Sequence, residues 1–111
     1  MLRDILESDW KLFRRLHPVA LERFCQRVLS EISRLVANES KTSHERYLAV
    51  YKLIKKRDRE VADAFNDLRR STALRQLVAI QAHQLLSEDE LAGFSPEARQ
   101  MVRSLLEIWE V

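Results

Sequence analysis

Glycine occurs once in this 111-residue chain and proline twice. Sandwiches and barrels need tight turns in number, so such folds are disfavoured from the start. The single cysteine, Cys25, excludes an internal disulfide, and no Cys/His set has the spacing of zinc ligands. No apolar run approaches the ~18 residues that a membrane span requires. The opening MLRDILESDW carries acids where a secretory leader has a basic start and an unbroken apolar stretch. A cytoplasmic location is therefore expected. The formal net charge of +2 is too small to imply nucleic-acid binding by itself. Without a Gly-rich loop there is no phosphate cradle, and no cofactor is expected.

What the chain does have is helical periodicity. Apolar residues make up 46% and charged residues 32%, a balance that suits a packed protein and not a disordered one. The pattern predicts one all-α domain over 1–111, a compact bundle of about five helices and a short one, near 2–16, 18–37, 43–70, 72–86, 88–92 and 96–109. Leu2, Ile5, Leu6, Trp10, Leu12, Phe13 and Leu16 share the first arc, and Asp9 points into it, which makes Ser8 a candidate N-cap. Pro18 is expected to end this helix and open the next. The second helix presents Leu21, Phe24, Cys25, Val28, Leu29, Ile32, Leu35 and Val36 on one face.

Thr42 with Glu45, and Ser87 with Glu90, read as capping boxes. Ser95-Pro96-Glu97 reads as a cap followed by a proline in the first helical position, and Ala98, Met101, Val102, Leu105, Leu106 and Trp109 as the stripe of the last helix. Gly93 is the natural left-handed residue to close the short helix before it. In the long central helix Tyr47, Tyr51, Ile54, Asp58, Val61, Phe65 and Leu68 step by four and three, the spacing of a heptad seam. The apolar face then rotates, and a break near Ser71-Thr72 with Ser71 as cap resolves this better than one continuous helix. Residues 1–72 are net basic and 73–111 net acidic. Packing of the last helices on the middle, or contact between two copies, would balance the two.

The candidate chemistry is sparse. Asp58 in an apolar seam must find a cation or donors; it is a bridge to a nearby Arg at the rim, a registry device between helices, or a carboxylate with a task. Gln81 on an apolar face suggests a buried amide with a backbone partner. Cys25 inside its stripe behaves as a small hydrophobe. His17, His44 and His83 have no second ligand one turn away, so no metal site is expected. No catalytic constellation is recognisable, and the chain is not expected to be an enzyme. The leading expectation is a protein-interaction module, self-associating as a homodimer, with Tyr47, Tyr51, Arg57, Asp58, Val61 and Phe65 as its interface. The alternative is nucleic-acid binding through Lys52, Lys55, Lys56, Arg59, Arg69 and Arg70, where phosphate contacts would make affinity salt-sensitive.

Overall fold

A computed structural model describes residues 5–110. Leu2 of the expected first stripe and the side chain of Trp109 lie outside what it describes. The chain is all-α: α1 (Glu7–Ala37), α2 (Ser43–Phe65), a 3-10 turn (Arg70–Thr72), α3 (Ala73–Ala82), the short α4 (Glu88–Leu91) and α5 (Pro96–Glu110). Among the described residues no helix is long and apolar enough to cross a membrane.

The expected break at Pro18 does not occur; α1 runs through it as one helix of 31 residues. An interior proline removes one backbone hydrogen bond and costs ~3 kcal/mol relative to alanine. The cost is offset by packing. Phe13, Ala20 and Phe24, spaced along one face on both sides of the proline, are all buried, whereas Pro18 itself is exposed on the far side. Breaking the helix would misalign the two halves of that face. The helix also starts later than expected, with Leu6 and not Ser8 at the N-cap position and no side-chain cap. Arg70 holds this end instead, donating to the Ile5 carbonyl at 2.9 and 3.2 Å and pairing with Glu7 at 2.7 Å.

Between α2 and α3 the chain does break, but at 66–69, ahead of Ser71. Asp67 adopts a positive φ of 62° there. Ser71 caps nothing; Thr72 is the organising residue, its hydroxyl accepting from Arg69 N–H at 3.1 Å and lying 2.8 Å from the Asp67 carbonyl. Gln76, fully buried on α3, donates its amide to the Asn66 carbonyl and so ties α3 to the end of α2. The end of α3 is a Schellman closure with Gln84 at a φ of 54°. The amide of Gln84 donates to the Gln81 carbonyl at 2.8 Å, and that of Leu85 to Ile80 at 3.4 Å. Arg27 donates to the carbonyls of His83 and Gln84, and Arg23 to that of Leu85 at 2.8 Å. Two arginines of α1 thus take up the carbonyls exposed where α3 stops.

The capping boxes at Thr42–Glu45 and Ser87–Glu90 form as expected, and Ser95 caps α5 by accepting from Ala98 N–H at 3.2 Å. Gly93 is not a left-handed cap. Its open side faces α1, where a Cβ would lie 2.9 Å from Leu12 Cδ2, the movable end of that side chain. Asp9 is buried, yet satisfied. Its two oxygens accept from the Ser95 amide at 2.8 Å and the Ser95 hydroxyl at 2.6 Å, fastening the start of α1 to the start of α5.

The core gathers at one end, where Phe13, Ala20 and Phe24 of α1 meet Ala64 and Phe65 of α2, the buried face of α3, and Phe94, Ala98 and Val102. His17 sits within it edge-on to Phe13 and Phe65, its Nε2 3.1 Å from the Phe65 carbonyl, and is not in a connection. The molecule is elongated, 51 × 26 × 23 Å with a radius of gyration of 16.5 Å, against ~13 Å for a compact domain of this length.

Three consequences can be measured. Pro18→Ala restores a backbone donor on an exposed face and should stabilise the protein by about 1–3 kcal/mol in urea unfolding, after allowance for the freer unfolded chain. Asp9→Ala removes two hydrogen bonds to a charged acceptor and should cost about 2–4 kcal/mol by the same assay. Glu90 accepts from the Arg23 guanidinium at 2.6 and 3.0 Å, and then from the Ser87 amide, which together hold its carboxyl at about 2 against the ordinary 4.5. Its folded pKa is depressed, so its contribution to stability is complete above pH ~4.5 and is lost as pH falls toward ~2. The urea midpoint of the wild type should fall across that window more than that of Glu90→Gln.

Candidate interaction face

The face is a product of unequal helix lengths. At ~1.5 Å per residue α1 is about 46 Å long and α2 about 34 Å, while α3 reaches only about 15 Å. The α1–α2 hairpin therefore projects beyond everything that could cover it. Its tip is a tight turn in which Asn38 Oδ1 accepts from the Ser40 amide and hydroxyl at 3.2 and 2.6 Å. Arg46 donates to the Val36 carbonyl at 2.6 Å, which sets how α2 is rotated on leaving the turn.

That rotation overturns the expected seam. The residues of α2 that face α1 are Arg46, Val50, Leu53, Arg57, Glu60 and Ala64, all half-buried or buried and spaced four and three. This is a heptad one residue behind the predicted one, a turn of about 100°. Its centre is polar. Arg57 donates to Glu31 of α1 at 3.1 and 2.9 Å and to Glu60 at 2.6 Å, which holds the guanidinium pKa above its ordinary value and the Glu31 carboxyl below its own. An apolar count along the sequence favours the stripe of Tyr47, Tyr51 and Ile54, because it cannot register an arginine whose two partners lie on either side of it.

The more apolar stripe is left outside. Tyr47, Tyr51 and Ile54 are 66%, 55% and 48% exposed, and Val36 of α1 is 53% exposed beside them. With Ser43, Arg46 and Val50 they line a shallow groove of about 520 Å³. Leu29, on the same stripe of α1 as Val36, is exposed as well. Lys55 lies over the Tyr51 ring at 5.7 Å, and His44 stacks on Tyr47 with centroids 6.4 Å apart.

The six residues expected to form an interface are thus divided. Tyr47, Tyr51 and Asp58 stand exposed on one side of α2. Arg57 is spent inside the hairpin, Val61 packs half-buried on the core, and Phe65 is buried between His17 and Phe24. Asp58 is in no apolar seam and bridges to no arginine among the described residues. The buried carboxylate is Asp9, whose partner 86 residues away leaves no trace in local spacing. Cys25 is exposed and not packed in a stripe, and Gln81, half-buried, has no backbone partner for its Oε1.

The cations of the alternative are also split. Lys52, Lys55, Lys56 and Arg59 are exposed on α2, whereas Arg69 pairs with Asp67 at 2.7 Å and Arg70 with the start of α1. No group of His, Cys, Asp and Glu among the described residues could hold a metal ion. Comparison with protein-family models, with curated proteins and with solved structures finds no match to this chain.

Proposed function

We propose that this chain is a cytoplasmic interaction module that works by binding, and that the protein it binds through the distal hairpin is a second copy of itself. The observation that carries this reading is the exposed stripe of Val36, Tyr47, Tyr51 and Ile54, apolar at helical spacing and covered by no other element among the described residues. A solvated helix face has no reason to keep two tyrosines and an isoleucine in register. Tyrosine is also among the residues enriched at interfaces, where one end of the ring is apolar and the other wet.

Two features favour a second copy. The four side chains offer roughly 400 Å² of apolar surface, taking about 200 Å² for a whole tyrosine. That is about half of the ~800 Å² per partner that a standard interface buries, matching the apolar share such interfaces have. The stripe is also self-complementary. If two α2 helices cross antiparallel about a twofold axis, Tyr51 lies opposite Ile54 and Tyr47 opposite Asp58. The Tyr47 hydroxyl can then donate to the second copy's Asp58 carboxylate, which gives Asp58 the registry role considered for it.

The exposed cysteine fits a reducing compartment. Nucleic-acid binding is a second reading, favoured by Lys52, Lys55 and Arg59 on one exposed side of α2.

Light scattering across a concentration series tests the first reading. A monomer–dimer equilibrium is expected, with Tyr51→Glu raising the dissociation constant about thirtyfold or more and Tyr47→Phe and Asp58→Asn raising it equally and without additivity. A monomer at every concentration, or a dimer indifferent to these substitutions, overturns it. Gel shifts at low salt check the second, since non-specific electrostatic binding is strongest there.

A further inference from the structure

The other end of the molecule holds a concavity that the hairpin reading does not use. It lies between α3, α4 and α5 and has a volume of about 400 Å³. Its floor is the core itself, Leu77, Phe94 and Val102, all buried, with half-buried Leu91 and Leu106 as walls. Apolar clefts of this size, with a few polar groups, are the usual form of a small-ligand site.

Two of the four polar side chains on its lining are arginines. Arg99 and Arg103, one turn apart on α5, both line the cleft and both are exposed. No acid among the described residues pairs with either; Arg103 makes one long bond of 3.3 Å to Gln100. Half-buried Gln81 lines the cleft too, its Oε1 shut away from solvent with no hydrogen-bond partner among the described residues. Among the described residues Glu88 is the one acid on its lining. Two guanidiniums against one carboxylate leave a surplus of one positive charge among the described residues.

We propose that this cleft binds an amphipathic monocarboxylate, an apolar chain or ring bearing one carboxylate. Its apolar body lies on Leu77, Phe94, Val102 and Leu106, and its carboxylate meets Arg99 and Arg103. A single negative charge neutralises the lining, and the planar fork of a guanidinium matches a carboxylate in two parallel hydrogen bonds. The site shares no residue with the hairpin face, so either can fail without the other.

The probe is decanoate below its micellar concentration, titrated into the isotopically labelled full chain and followed by amide chemical shifts, with decanol as the uncharged control. Saturable shifts are expected at Leu77, Gln81, Val102 and Leu106, with decanol binding about tenfold more weakly or worse. In the Arg99→Gln, Arg103→Gln double variant, whose substitutions are on exposed positions, the affinity for decanoate should fall to that for decanol while the response to decanol stays as it was. Shifts that do not saturate, equal binding of the two probes, or an unchanged affinity in the double variant would overturn the proposal.

Discussion

The structure hangs on the continuity of α1. One helix of 31 residues carries the contacts that hold every longer element: Asp9 to the start of α5, Arg23 and Arg27 to the end of α3, Glu31 to Arg57 of α2. These residues span 22 positions, about 33 Å of helix. They can act together only if the axis between them is rigid, and Pro18 lies in the middle of it. The apolar face of Phe13, Ala20 and Phe24 keeps the axis straight enough by burying side chains on both sides of the proline. One lost backbone hydrogen bond is small against three buried aromatic and aliphatic groups whose alignment would go with it.

The same length creates the surface. A spine of about 46 Å cannot be covered by an α3 of about 15 Å, so the hairpin has a wet half and a dry half. In the dry half both flanks of α2 are enclosed, and Phe65 and Ala64 are buried side by side. In the wet half α2 has one neighbour only. Arg57, with Glu31 and Glu60, turns the mixed stripe inward and the apolar stripe outward. Half-buried ion pairs contribute modestly to stability, but they choose among registers, because the wrong rotation leaves a guanidinium without its carboxylates.

Charge follows a similar logic at the other end. One pair, Arg23 with Glu90, joins the net basic first part to the net acidic last part, from α1 and not from the middle helix, while Arg75 with Asp63 runs the other way between α3 and α2. Glu90 also closes the capping box of α4, so one carboxylate serves helix start and long-range tether at once. Around the α5 cleft the balance reverses: Arg99 and Arg103 stand in the acidic third of the chain and make no ion pair among the described residues.

Much of this was readable without coordinates. The all-α class, the two capping boxes, the Ser95-Pro96 start and the stripe of Tyr47, Tyr51 and Ile54 all come from residues within four positions of one another, the range over which helix caps and helix faces are decided. The sequence by itself determined where α2, α4 and α5 begin and which helix faces are apolar. It could not determine which apolar face is buried, since that depends on how far a neighbouring helix reaches and on where Arg57 finds its acids. Nor could local rules see that Pro18 would be carried through, that Asp9 would hold the cap residue of a helix 86 residues on, or that Gly93 would lie against Leu12. Those outcomes belong to the tertiary structure because each is a contact between residues far apart in the chain, and its energy exists only once the helices have met.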